Sequence, residues 1–335
     1  MQRCLQIAKN GIAAALPNPC VGAVIVYNDI IIGEGFTAAY GGPHAEVNAI
    51  NAVKDKALLK KATLYVSLEP CSHFGKTPPC CDLILKNDIP TIVIGCQDPN
   101  ALVAGKSIKK LREAGKDVVV GVLEKKCQDA NRRFITFHTK KRPYIILKWA
   151  ESTDGFIAPT NDERTQVSQL KKAPFWISNS YSRQLTHKWR SEEQAILIGT
   201  QTAIDDNPKL DTRDWSGKNP LKIVLDQKNR IPKENYIFES RANLMVLSAV
   251  DVNFKNNIGA QIASILFEKN IASVIIEGGR QTLQTFIDEN LWDEARVFRG
   301  PIFLGDGIKA PVITTKLIVS EAIVDDELLI FTNYD

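Results

Sequence analysis

The chain has 335 residues, 44% hydrophobic and 24% charged, with 42 Lys+Arg against 38 Asp+Glu and a net charge of +4. That length points to two domains, and the composition excludes a disordered chain, a collagen-like repeat and a disulfide miniprotein. The small positive excess contains no long Lys/Arg run, which argues against a dedicated nucleic-acid binder, and no stretch reaches the ~18 apolar residues of a membrane span.

In chain order, Leu5, Ala8, Ile12 and Ala15 recur at helical spacing. VGAVIVY and IIIGEGF flank Asn28-Asp29 and read as a β-hairpin. A helix pattern follows His44, TLYVSL is a strand, and a Cys- and Pro-rich loop leads into the helix CDLILKN. TIVIGC, SIKKLREAG and KDVVVGV then read as strand, helix and strand, so a three-layer α/β domain is expected. FITFHTKKR breaks the rhythm and ends at Pro143, which places the domain boundary between residues 142 and 143. The second half, 143–335, opens with the strand YIILKWA and continues with AILIG, LKIVLD, LMVLS, SVIIEGG, EARVFRG and LLIFT. Helix patterns, among them SYSRQLTHKWRSEE and RQTLQTFIDENL, lie between several of these strands, so this half is a second α/β domain.

The start, MQRCLQIAKNG, shows no signal-peptide pattern, and a reducing cytoplasm is the expected location. There the seven cysteines serve as metal ligands or buried thiols rather than disulfides. His44-Ala45-Glu46, Pro70-Cys71 and Cys80 carry the sharpest chemistry. One imidazole and two thiolates suit Zn²⁺ with a fourth position open to water, whose pKa the metal lowers toward neutrality. Glu46, a carboxylate that is not a ligand, is the proton shuttle. His44 and Glu46, two apart, converge only within a helix's first turn, and Cys80 is expected at a helix start, where the dipole favours a thiolate. Cys81 is expected to point away as a spare buried thiol, and Cys4, Cys20, Cys96 and Cys127 to be small core residues. In the second half no G-x-G-x-x-G follows a strand, which argues against a Rossmann site; the strand ending in Glu277-Gly278-Gly279 instead offers a backbone that a phosphate can approach.

The order H-x-E…P-C…C resembles the zinc nucleobase deaminases, although eight residues separate Cys71 from Cys80. EPCSHFGKTPPC, Pro17-Asn18-Pro19-Cys20-Val21-Gly22 and Gln97-Asp98-Pro99-Asn100 are similar to the deaminase half of the bifunctional riboflavin-biosynthesis deaminase/reductase family, RibD. Leu147 to Ala150, Ser152 to Gly155, Trp189-Arg190, Ala195 to Thr202, Asp205 to Pro208 and Val224 to Asp226 resemble its reductase half. The resemblance implies a cytidine-deaminase-like domain over 1–142 and a dihydrofolate-reductase-like domain over 143–335. It implies zinc-dependent hydrolysis of the C2 amine of 2,5-diamino-6-(5-phosphoribosylamino)pyrimidin-4-one, then NADPH-dependent reduction of the ribosyl group to ribityl. His44, Cys71 and Cys80 become the zinc ligands and Glu46 the catalytic residue; Asn18, His73 and Lys76 become contacts of the first substrate. Ala150, Trp176, Thr202, Asp206, Gly279, Arg280, Gln281 and Thr282 fall to NADPH; Arg190, Leu210, Arg213 and Glu277 fall to the second substrate, and Lys148, read from its own chemistry, can assist protonation near the sugar ring, although a strand lysine is more often a surface charge. The resemblance also implies a homo-oligomer, a dimer through the reductase half or a tetramer. A nucleic-acid deaminase and a non-enzymatic second domain are the alternatives; the first lacks a basic groove in the charge balance, and NADPH binding tests the second.

Overall fold

The computed structural model describes residues 1–72, 78–100, 103–159, 175–239 and 241–333. His73 and Lys76 lie outside the described residues. The chain divides into two compact units, Met1–Arg142 and Pro143–Asp335.

In the first unit the opening helical pattern is broken into α1 (Gln2–Ala8), a 3₁₀ turn (Lys9–Gly11) and α2 (Ile12–Ala15). The hairpin β1 (Gly22–Tyr27) and β2 (Ile30–Phe36) turns through Asn28 and Asp29, both at positive φ, as a two-residue turn requires. α3 (Ala45–Ala52), β3 (Thr63–Leu68), α4 (Cys80–Lys86), β4 (Thr91–Cys96), α5 (Lys106–Glu113) and β5 (Asp117–Val120) follow. The sheet order is β2-β1-β3-β4-β5, antiparallel in the hairpin and between β1 and β3, parallel from β3 to β5. Fully buried Ile25, Leu64, Ile84, Ile92 and Ile94 form its core. The first seven residues of FITFHTKKR lie in a helix: α6 (Glu124–Ala130) and α7 (Arg132–Lys140) close the unit, with Cys127, Phe134 and Phe137 buried.

Two glycines fix the depth of α3. A Cβ on Gly33 would stand 2.4 Å from the Ala49 carbonyl oxygen, and one on Gly35 2.4 Å from the Ala49 nitrogen and 2.5 Å from the Ala45 oxygen. All three distances are shorter than real carbon contacts, so the alternation in IIIGEGF exists to seat a helix directly on the strand. The helix start, and with it His44, is carried inward.

The second unit comprises β6 (Tyr144–Glu151), β7 (Phe156–Ala158), α8 (Ser180–Glu192), β8 (Ala195–Gly199), α9 (Thr200–Asp206), β9 (Leu221–Leu225), β10 (Leu244–Leu247), α10 (Ile258–Glu268), β11 (Ser273–Ile276), α11 (Arg280–Asp288), β12 (Glu294–Arg299), β13 (Ile308–Lys309), β14 (Leu317–Ile323) and β15 (Asp326–Thr332). Its main sheet runs β10-β9-β8-β11-β6-β12-β15-β14, parallel from β10 to β12 and antiparallel beyond. The parallel strands are buried on both faces, which is why AILIG and SVII read as continuous apolar runs. β7 and β13 form a separate two-stranded ribbon. β14 escapes a reading by alternation because six of its seven residues are exposed. Among the described residues no helix is long and apolar enough to cross a membrane.

Candidate active sites

In the first unit, His44 is the N-cap of α3 in extended conformation, Glu46 sits in the first turn of that helix, and Cys80 is the first residue of α4. Cys71 follows β3 in the loop opened by Glu69-Pro70. The His44 Nδ1 lies 3.5 Å from the Cys71 Sγ and 3.3 Å from the Cys80 Sγ, and the three atoms fall within 4.8 Å of one another. Tetrahedral Zn–N and Zn–S bonds put such atoms about 3.6 Å apart, so the donor set fits zinc in chemistry and in spacing. The Cys80 backbone N–H donates to the Cys71 Sγ at 3.2 Å, the helix-start contact that favours a thiolate. The hydrogen bond from Cys80 and the contact with His44 hold Cys71 down to about 4 against its burial, while Cys71 and burial push the Cys80 thiol up. Glu46 is buried, and desolvation, reinforced by Cys71, pushes its carboxyl up to about 7. A carboxyl near that value can take and return a proton at neutral pH.

Glu69, which sequence reasoning passed over, is buried beside this cluster. Its carboxylate accepts from the Asp98 N–H at 3.2 Å, the Gly105 N–H at 2.9 Å and the Ser107 hydroxyl at 2.8 Å. It ties the Cys71 loop to the loop after β4; its adjacency to Pro70-Cys71 was the available signal. Asn18 lies between α2 and β1 and lines a cleft with Pro19, Cys20, Asn131 and Phe134. Cys81 is buried with its thiol toward Asp82. Cys4, Cys96 and Cys127 are core residues as expected, whereas Cys20 is only half-buried at that cleft.

In the second unit the C-terminal ends of β6, β8 and β11 come together, the usual ligand edge of a parallel sheet. Arg190 of α8 and Glu277, just past β11, form a buried bidentate pair, Nε to Oε1 at 2.8 Å and Nη2 to Oε2 at 2.7 Å. The remaining Arg190 nitrogen, Nη1, donates to the Asp211 carbonyl at 3.2 Å. The resemblance gives Arg190 to the substrate; in the structure each of its nitrogens already holds a protein acceptor. Burial works against ionised Glu277, but Arg190 and Lys148 overcome it and hold the carboxyl at about 2. Burial lowers Lys148 and Glu277 opposes that, while the Lys148 ammonium lies 5.9 Å from the Phe298 ring centroid. Lys148, Arg190 and Glu277 are thus one network. Arg213 pairs with Asp211 at 2.5 Å, and Leu210 is buried in the same loop at positive φ.

The Gly278-Gly279 turn packs against the β8–α9 turn: a Cβ on Gly278 would stand 2.5 Å from the Ile198 Cα, and one on Gly279 3.1 Å from the Thr202 Oγ1. Gly279, at positive φ, caps α11 and supplies no side-chain hydrogen bond. The leading amides of α11, over Arg280, Gln281 and Thr282, therefore face a cradle that only glycine leaves open, which fits a phosphate of a dinucleotide. Thr202 borders it, and Asp206 ends the same short helix. Ala150 follows Lys148 on the same face of β6. Trp176 is half-exposed with the Arg183 guanidinium 4.6 Å from its ring centroid.

The two sites define an enzyme of two parts, a zinc-type deaminase followed by a reductase. Residues 1–96 match the cytidine and deoxycytidylate deaminase zinc-binding region, and residues 143–323 match the RibD C-terminal domain. The riboflavin biosynthesis protein RibD of Aquifex aeolicus is 38% identical over 92% of this chain and 88% of its own length; that of Bacillus amyloliquefaciens is 37% identical over 93% and 86%. A Thermotoga maritima structure described as a diaminohydroxyphosphoribosylaminopyrimidine deaminase/5-amino-6-(5-phosphoribosylamino)uracil reductase superposes with a TM-score of 0.88 at 34% identity, covering 99% of this chain and 97% of that one. Acinetobacter baumannii RibD, form 1, gives 0.85 at 30%, with the same coverage. The chain belongs to the RibD family of bifunctional deaminase/reductases in riboflavin biosynthesis.

Proposed function

We propose that residues 1–142 hydrolyse the C2 amine of 2,5-diamino-6-(5-phosphoribosylamino)pyrimidin-4-one and that residues 143–335 reduce the ribosyl group of the deaminated product to ribityl with NADPH. The observation that carries the reading is the His44, Cys71 and Cys80 triangle with buried Glu46 beside it. Zn²⁺ held by these three residues supplies an activated water at neutral pH. Glu46 would take the first proton of the attacking water to the ring nitrogen and then carry the proton of the hydroxyl added at C2 to the departing amine, which leaves as ammonia. Asn18 holds the pyrimidine, and His73 and Lys76 hold the phosphoribosyl arm.

In the second unit NADPH supplies a hydride to the sugar C1. The Gly279 to Thr282 turn, Thr202, Asp206, Ala150 and Trp176 hold the cofactor. Glu277 accepts from sugar hydroxyls through the lone pairs that Arg190 leaves free, Lys148 delivers a proton at the sugar ring, and Arg213 and Leu210 border the phosphate. Arg190 acts chiefly by keeping Glu277 ionised and fixed. The exposed apolar edge strand β14, with Leu317, Ile318 and Val319, supports a homo-oligomer joined through this unit. The expected setting remains the cytoplasm.

Mass-resolved product analysis of the zinc-loaded protein tests the whole reading. A deaminated product without NADPH, and a deaminated and reduced product with it, is the expected result. Deamination alone in both reactions would remove the reductase half of the proposal.

A further inference from the structure

The loop between α9 and β9 carries Leu210 and Arg213. Beneath it, in α8, lies His187, whose side chain is 4% exposed. Its Nδ1 is 2.7 Å from the Asp211 carbonyl oxygen, and its Nε2 is 3.2 Å from Asp214 Oδ2. Both partners are acceptors. A neutral imidazole has one donor nitrogen and one acceptor nitrogen, so it satisfies only one of them; the imidazolium satisfies both. The Asp211 carbonyl also accepts from Arg190, which grips Glu277, so the ring is joined to the reductase network through a shared oxygen. The charged groups facing it are Arg190 from α8, Asp211, Arg213 and Asp214 from the loop, and Glu277 from the end of β11. Burial, then Arg190, holds the imidazole below its ordinary range, while the Asp211 carbonyl and Asp214 act the other way. Asp214 is 53% exposed and is free to turn to water when the ring is neutral.

We infer that His187 is a positioning residue for the reductase, a proton-operated latch that holds residues 211–214, and with them Arg213, in place when its imidazole is charged. The inference rests on the proposed assignment of Arg213 to the substrate phosphate. Protonation closes the latch, so substrate binds more tightly at acid pH and KM rises as pH climbs through the His187 titration. Binding of a phosphate beside the latch is accompanied by proton uptake.

The test combines two readouts. NMR titration of the four histidines in the free protein gives the His187 pKa in wild type and in Asp214→Asn. The Asn amide can donate to a neutral ring, so this variant latches without a proton and its His187 titrates lower. Reductase kinetics with 5-amino-6-(5-phosphoribosylamino)uracil from about pH 5 to about pH 8 give KM and kcat. The substrate phosphate titrates in this range too, and its effect cancels in the ratio of wild type to variant. A latch that holds its proton by one extra pKa unit makes that KM ratio rise about tenfold across the range with kcat unchanged. His187→Gln has a raised KM at acid pH and no such rise. An unaltered His187 titration in Asp214→Asn overturns the latch, whether or not the substrate assignment holds. A shifted titration with a flat KM ratio overturns the positioning role. If the substrate is not turned over, the substrate assignment fails and with it the positioning role, while the titration still decides the latch.

Discussion

The two units hold their reactive polar groups in opposite ways. In the first, the donors of one ligand set converge, two thiols and an imidazole within 4.8 Å of one another, and a buried carboxyl is pushed up to about 7. In the second, the charges are already matched, with Arg190 and Lys148 against Glu277. The overall balance divides the same way. Residues 1–142 carry 20 Lys+Arg and 12 Asp+Glu, a net +8, while residues 143–335 carry 22 and 26, a net −4. The first site needs a bound cation for its chemistry; the second carries its own ion pair and is destabilised when one partner goes. The difference separates what a metal does from what a salt bridge does within one chain.

Four experiments break or sharpen that contrast. The largest effect is expected from Glu46→Gln, which should lower deamination by about 10²- to 10⁴-fold while zinc content by metal analysis and reductase turnover stay at wild-type levels. Loss of zinc in that variant would make Glu46 a structural support of the site. Next, Arg190→Ala leaves Glu277 buried without its partner and should destabilise the second unit by about 3–5 kcal/mol. Reductase activity should fall and deamination persist; equal loss of both would show that the units do not fold independently. Third, acid should weaken the second unit through Glu277. Its folded pKa of about 2 lies below the ordinary 4.5, so its contribution is fully present above the ordinary value and lost as pH falls through about 2. That gap is worth about 3 kcal/mol, read from denaturant midpoints followed by a second-unit signal. The smallest effect concerns salt. The anionic substrate approaches a positive first unit, so kcat/KM for deamination should drop several-fold between about 0.01 M and 0.15 M salt, and that for reduction less. Equal slopes would remove steering by the charge division.

The deaminase site was legible because each of its parts is local. His44-x-Glu46 and Pro70-Cys71 are dipeptide-scale signals, and Cys80 opens a helix that the sequence also shows. Arg190 and Glu277 could be assigned from resemblance, and Lys148 from its chemistry, but the three could not be joined, since their contact depends on which strands become neighbours in the sheet. His187 left a faint signal, three residues before Arg190 and so on one helix face with it. Its two acceptors are supplied by a loop with no pattern. α6 and α7 were missed because Cys127, Phe134 and Phe137 are sparse apolar positions among charges, and β14 because exposure on both faces erases alternation.

Gly33 and Gly35 carry a lesson for anyone stabilising this protein. Strand propensity favours valine or isoleucine at both positions, and a designer working from local preference would replace the glycines. Here the added methyl groups would lift α3 from the sheet and move His44 away from the two cysteines. The hairpin would gain β-propensity while the enzyme shed its metal, so the protective choice at these two positions is the residue that looks weakest.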